Sequence, residues 1–372
     1  VLFAKGKQAD LLYKSSEFSY AYGAMGGAIG TGAGAGLALL FMFVLFRYQI
    51  PSLRRKGKKD HSLTDSYEHS AMLLLFTMLP ILFSSTVYNI SSVLDDFLYS
   101  SIMTGLGSKT KQIVLEWGIF GEYHVLFNIP VALANALSSS LIPVLTMAVA
   151  SHDRKKTLSQ IRVSVRFTLL IAVPCSIGMA ILAEPLCWML FPGKHVSLLI
   201  QLTRVGSLAV LLYSLSTISN AILQGLGHLN IPLYHSMIAL VLHLGSLILF
   251  LYLRTGIYGV VLSNIVFALC MCLLNQHAIY KHTRFRIDLF RSLVMPGISA
   301  LVMGGAAYAL YFVIHIVLPE HLRKGRIGSA VSLLPAVFLG ILIYFFLLLR
   351  SHTLTKEDLD EMPMGGRLKR FL

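Results

Sequence analysis

The chain has 372 residues, 56% hydrophobic and only 13% charged, with a mean hydropathy of +0.72 and a formal net charge of +14. Soluble domains carry about 25% charged residues, so an ordinary soluble fold is excluded, and with it a soluble nucleic-acid binder as the meaning of the positive charge. Nothing alternates in the segments of about ten residues that mark a membrane β-barrel, which leaves an all-α polytopic membrane protein.

A bilayer core about 30 Å thick needs about 20 apolar residues per helix. Nine runs qualify: 20–46, 71–94, 118–150, 167–191, 198–223, 232–253, 257–280, 293–318 and 327–349. Lys and Arg cluster in 47–59, 154–166, 281–291 and 350–370, which hold 20 of the 31 basic residues. If the runs alternate, these clusters share one side, which the positive-inside rule assigns to the cytoplasm together with the C-terminus. Arg323, Lys324 and Arg326 fall on the opposite side against that trend. The basic loops read as topology determinants beside anionic lipid.

Residues 1–18 form neither a signal peptide nor a span, and a start outside the membrane is most simply explained by helices that precede Val1. The first run is dense in glycine. Gly26, Gly30 and Gly34 recur every four residues, a spacing that lets helix backbones approach closely.

The second run carries Pro80 and then turns polar through Ser84, Ser85, Asn89, Ser91 and Ser92, ending on Asp95 and Asp96. Proline removes a backbone donor and kinks a helix, and polar groups at membrane depth face protein or water. This helix is therefore expected to bend and to show one face to a hydrated cavity. Twenty-four residues at 1.5 Å each reach about 36 Å, which puts the two aspartates at the outer mouth. They read equally as a solvated helix end and as a coupling site.

Residues 97–117 read as a long outer connection containing GLGSKT, which fails as a phosphate loop because Ser108 replaces the glycine before Lys109 and no strand leads into it. The third run is a second proline-bearing, polar-striped helix, with Glu122, His124, Asn128, Pro130, Asn135 and Pro143. The fourth carries Pro174. The fifth has Arg204, an interfacial anchor or a phosphate ligand, near its outer end. Its stripe from Ser214 to Asn220 and Gln224 reads as cavity lining or as helix-to-helix hydrogen bonding.

His243 and His315, alone in apolar runs, read as packed and hydrogen-bonded. Residues 284–292 alternate charged and apolar faces as a short interfacial helix does. Cys175, Cys187, Cys270 and Cys272 lack CxxC spacing and read as small core residues. A faint internal echo pairs Tyr22-Gly23 with Tyr258-Gly259.

Four stretches carry a resemblance: FNIPVALANALSSSLIPVLTMAVA, RFTLLIAVPCSIGMAILAEPL, SLSTISNAILQGLGHLNIP and the tail LTKEDLDEMPMGGRLK. Together and in this order they resemble the polysaccharide-transport, stage V sporulation protein B-like family. Its relatives include the MurJ-type lipid II flippases, within the superfamily of multidrug, oligosaccharidyl-lipid and polysaccharide exporters. Such proteins have two six-helix lobes and a C-terminal helix pair. The resemblance implies that this chain lacks most of the first lobe, and it divides the rest. Residues 1–70 would be the last helix of that lobe with a basic inter-lobe loop, and 71–283 the second lobe. Residues 284–349 would be an interfacial helix and the C-terminal pair, and 350–372 a cytoplasmic tail. Related flippases hold the substrate diphosphate with cavity arginines; where one is expected here, His124 and Val125 stand.

The function implied is translocation of a lipid-linked glycan precursor across the bacterial plasma membrane by alternating access. The partners would be the lipid-linked oligosaccharide, membrane lipids and Na+ or H+, without nucleic acid, cofactor or metal. The full-length protein would be a monomer, and the fragment would not transport alone. Asp95, Asp96 and Glu122 are the candidate ion ligands; His124, Asn128, Arg204, Asn220 and Gln224 are candidates for the substrate path, with Pro80, Pro130 and Pro174 as kinks. The runner-up is a cation-coupled multidrug antiporter. A glycan polymerase or ligase would need a large catalytic outer loop. A scaffold in envelope assembly stays open. No HExxH, GxSxG or Walker pattern points to an enzyme.

Overall fold

A computed structural model describes residues 18–57, 66–319 and 325–351. Residues 1–17, Lys58, Lys59, Arg323, Lys324 and the tail 352–372 lie outside the described residues. Among those described, nine helices are long and apolar enough to cross a membrane, and each overlaps one of the nine runs; the fourth run, 167–191, is broken at Leu182, where one helix ends at Ile181 and a short one follows over Ala183–Leu190. The fold is all-α and polytopic.

The helices are α1 (Phe18–Gly57), α2 (Tyr67–Gly105), α3 (Thr110–Ala150), α4 (Arg154–Ile181), the short α5 (Ala183–Leu190), α6 (Val196–Gly225), α7 (Asn230–Tyr252), α8 (Ile257–Thr283), α9 (Met295–Val317) and α10 (Arg326–Arg350). Pro80, Pro130, Pro143, Pro174 and Pro335 all sit inside helices that continue through them.

The chain divides into residues 1–72 and 73–372. In the first unit, α1 buries none of its residues over Ala21–Ser52. A Cβ added at Gly27, Gly30, Gly32, Gly34 or Gly36 would meet open space.

The second unit is built around α6, which packs against α3, α4 and α8. Large apolar side chains from several helices fill the interior, among them Leu145, Leu199, Leu202, Ile218, Ile222 and Leu247, each fully buried. The α3–α6 contact is closest at Gly206, where an added Cβ would lie 2.2–2.5 Å from the Tyr123 ring. Tyr123 donates its hydroxyl to the Gly206 carbonyl at 3.2 Å. Glycine here is a fit requirement, not a loop signal. The α9–α10 pair packs on α4, where Tyr344 Oη donates to the Leu170 carbonyl at 2.9 Å.

Two expectations are corrected. The long connection 97–117 is a four-residue turn between helices that simply continue: α2 ends at Gly105 and α3 begins at Thr110. Gly107, at φ +87, closes α2, with Gly107 N–H donating to the Thr104 carbonyl and Ser108 N–H to the Met103 carbonyl. These are the two bonds of a Schellman cap, which favours glycine at the left-handed position. The polar residues that looked like loop lie on exposed helix. GLGSKT is this cap.

The second correction concerns 284–292. Arg284 takes a left-handed conformation (φ +61) that ends α8, residues 284–288 are not helical, and a π-helical turn follows at Phe290–Val294. Met295 N–H donates to the carbonyl of Phe290, five residues back. Pro296 stands at the start of α9, and the wider turn accommodates a ring that clashes with the carbonyl four residues before it.

Candidate functional site

Four helices of the second unit enclose a cavity of about 620 Å³. On α2, Ile81, Ser85, Asn89 and Ser92 fall at helical spacing and present one face to it. Part of their polarity folds back on the helix: Ser85 Oγ donates to the Ile81 carbonyl at 3.0 Å, and Asn89 Nδ2 to the Ser85 carbonyl at 3.1 Å. The polar face expected from the sequence thus lines a cavity.

α3 supplies two kinds of lining. Its first part contributes the rings of Phe120, Tyr123 and Phe127, and its second part Asn135, Ser138 and Ser139. The aromatic part continues across the helices. Phe127 meets Tyr213 of α6 edge-on with ring centres 5.1 Å apart, and Tyr213 stacks on Phe267 of α8 at 6.1 Å. The polar part is completed by Thr217, Asn220 and Gln224 of α6. Ser138 Oγ, buried on this wall, has no hydrogen-bond partner among the described residues.

Among the described lining residues there is one carboxylate, Asp95. It is 2% exposed and accepts a hydrogen bond of 2.6 Å from Nε2 of His243 on α7, which is 0% exposed. The two residues are 148 positions apart. From Ser91 through Asp95 α2 turns buried side chains inward, and one turn further Tyr99 is also fully buried. Tyr99 donates to Glu116 of α3, whose other carboxylate oxygen accepts from Gln112 at 2.8 Å, and stacks on Trp117 with ring centres 5.6 Å apart. These clasps fix the C-terminal half of α2 to α3 and α7.

A second polar chain crosses the bundle near the other end. Asn275 of α8 donates to Asn220 Oδ1 at 2.7 Å and meets His235 Nδ1 of α7 at 2.7 Å, while Gln276 donates to Ser219 Oγ at 2.7 Å. Asn275 and Ser219 are fully buried, so each must find such a partner.

The expected site residues separate on this geometry. Asp95, His124, Asn128, Asn220 and Gln224 line the cavity, with Asn128 Nδ2 3.0 Å from His124 Nδ1. Asp96 is exposed and Glu122 half-buried, and neither lines the cavity. The two aspartates are therefore not a paired mouth: one is buried against an imidazole, the other faces out. Arg204 lies near Glu184 (3.9 Å), both about half-exposed and away from the cavity. Among the described residues that line it there is no Lys or Arg. From the sequence His243 reads as a lone core histidine. Its signal is a titratable ring in mid-run, and nothing in one sequence names its acid.

The family profile for lipid II flippase MurJ matches residues 11–325. The chain belongs to the lipid II flippase MurJ family. Among relatives from Bacillus subtilis (strain 168), the membrane protein YabM is 24% identical over 88% of this chain and 60% of its own length. The relative described as lipid II flippase MurJ is 26% identical over 59% of this chain and 41% of its own. Stage V sporulation protein B is 23% identical over 94% of this chain and 65% of its own. The chain thus spans less than two thirds of the length of each. Within the stretch SLSTISNAILQGLGHLNIP, the second glycine of Gln224-Gly225-Leu226-Gly227 serves the backbone. Gly227, at φ +84, caps α6, with its N–H on the Gln224 carbonyl and the His228 N–H on the Leu223 carbonyl.

Proposed function

We propose that this protein translocates a lipid-linked glycan precursor across the bacterial plasma membrane, with the six-helix lobe 71–283 carrying the path and the C-terminus in the cytoplasm. The observation that carries the reading is the cavity of about 620 Å³ at membrane depth in a MurJ-family chain, lined by amide and hydroxyl groups together with a smaller set of aromatic rings. Polar groups inside a bilayer are costly unless they face a pathway or partners. Sugar rings offer hydroxyls to Asn135, Ser138, Asn220 and Gln224, and C–H faces to Phe127 and Tyr213. The lipid chain stays in the bilayer, no bond is broken, and no catalytic residue is required.

Coupling falls to Asp95. It is the carboxylate on the described cavity wall, and it ties α2 to α7 through His243. A cation exchanged at Asp95, a proton or Na+, loosens or restores that tie and so links ion movement to the position of α2. The diphosphate of the substrate finds no cation among the described lining residues, and its recognition is not assigned to this wall.

A second reading has its own observation. Among the described lining residues, one carboxylate in a cavity that Phe120, Tyr123 and Tyr213 also line, without Lys or Arg, also suits an organic cation, by charge and by ring faces. Reconstitution of the whole protein in liposomes separates the two. Transfer of a labelled lipid-linked precursor to the side reached by an impermeant reagent supports the flippase, with Asp95→Asn slowing it at least about tenfold, about 1.4 kcal/mol. Unchanged transfer by D95N removes Asp95 from the coupling. Efflux of an organic cation without precursor transfer replaces the flippase by the antiporter.

A further inference from the structure

A second cavity, of about 320 Å³, lies between α4 and the non-helical segment after α8. Its charged lining is Arg162 and Arg166 from α4, and Arg286, Asp288 and Arg291 from the connection into α9. Arg162 and Arg166 are four residues apart and share a helix face. Arg166 is 6% exposed, whereas Arg162, Arg286 and Arg291 reach the surface.

Among the described residues four guanidinium groups thus line one concavity with a single carboxylate. Asp288 pairs loosely with Arg291, with Nε 4.0 Å from Oδ2. Arg286 donates one N–H to Tyr280 Oη at 3.0 Å and stacks on that ring, and a guanidinium has five donors in all. A fold that brings four like charges around one concavity holds them more stably with an anion between them. Guanidinium forks match a phosphate's oxygens two at a time.

The position says which phosphate. Arg166 is the last charged residue of α4 before a stretch without any through Ala183, and Arg291 is the last before the apolar body of α9. Both therefore stand at the level where lipid headgroups meet hydrocarbon. Immediately beside the pocket, Leu289, Phe290, Val294, Ile298 and Leu301 are 43–63% exposed, an apolar strip running away from the arginines along α9. A phosphate in the pocket with acyl chains on the strip satisfies both features at once, and basic pockets between membrane helices are suited to anionic headgroups.

We propose that this pocket binds the phosphate of an anionic phospholipid, independently of the transport cavity and of whatever passes through it. The corrected geometry of 284–294 makes the site. Left-handed Arg284 turns the chain so that Arg286 and Asp288 face α4, and the π turn places Arg291 on the same side.

The test is native mass spectrometry of the detergent-purified protein with phosphatidylglycerol or phosphatidylcholine of matched chains. Wild type should retain phosphatidylglycerol preferentially, and Arg162→Gln with Arg291→Gln should weaken that retention roughly tenfold. Both positions are exposed, so this pair keeps the fold where Arg166→Gln alone endangers it; helical content by circular dichroism verifies that. Lys109→Gln with Lys111→Gln, removing equal charge at the far end of α3, should leave retention unchanged. Equal retention of the two lipids, or equal loss in both double variants, overturns the proposal. Displacement of phosphatidylglycerol by millimolar inorganic phosphate that itself raises thermal stability would assign the pocket to free phosphate and overturn the lipid assignment.

Discussion

α6 and α2 line the same cavity but are held in opposite ways. Over its most apolar stretch α6 buries 44% of its residues, and α2 buries 6%. α6 is wedged by close steric fit, with Gly206 under the Tyr123 ring and Gly225 against Leu145. α2 is attached by Asp95–His243 and by Tyr99 with Glu116 and Trp117. Packing of the first kind is insensitive to protonation and ions. Attachment of the second kind is not, so the cavity has a fixed wall and a wall that chemistry can release.

The comparison breaks most severely at Asp95. Asp95→Ala strands a buried histidine, and losing one partner of a buried pair costs on the order of 3 kcal/mol. The thermal midpoint in detergent should fall accordingly. Replacing both, by Asp95→Leu with His243→Leu, should recover most of the stability while transport stays lost. Asp96→Asn should stay within about 0.5 kcal/mol of wild type, as exposed substitutions do. Equal effects at 95 and 96 would contradict the division between them.

The fixed wall is tested at Gly206. Gly206→Ala places a methyl inside the Tyr123 ring and should cost about 1–3 kcal/mol, the range for overpacking a filled site. The same change at Gly30, where a Cβ meets open space, should leave the melting midpoint unmoved or raise it slightly, since alanine is the better helix former. A smaller effect is expected at Asn275→Ala, which opens the chain Asn220–Asn275–His235. Interhelical hydrogen bonds in membranes average about 0.6 kcal/mol, so a shift near the limit of a careful unfolding titration is predicted. A loss as large as that at Asp95 would move α6 and α8 into the chemically held class.

The fixed wall is also the more legible one. Nine apolar runs show themselves because the bilayer demands about 20 residues of one kind in sequence, whatever lies far away. The cavity-facing stripe of α2 and the Asn220–Gln224 face are readable for the same reason, since helical spacing is local. What escapes depends on distance or on an end. Asp95 and His243 meet across 148 positions, and no local rule chooses His243 over Glu122. The turn at Gly107 is hidden because the polar residues around it look alike on exposed helix and in a loop. The arginine pocket escapes because residues 284–292 have a helix-like charge pattern, which Arg284 and Pro296 override.

The short turn at Gly107 gives the long pair α2 and α3 a mechanical meaning. From Pro80 to Gly105 the helix runs about 37 Å at 1.5 Å per residue. A tilt of about 10° at the proline carries the tip sideways by about 6 Å, as a pointer magnifies the rotation of its spindle. A spin label or fluorophore at exposed Lys109 therefore reads, from outside the cavity and without touching it, the angle at which α2 stands.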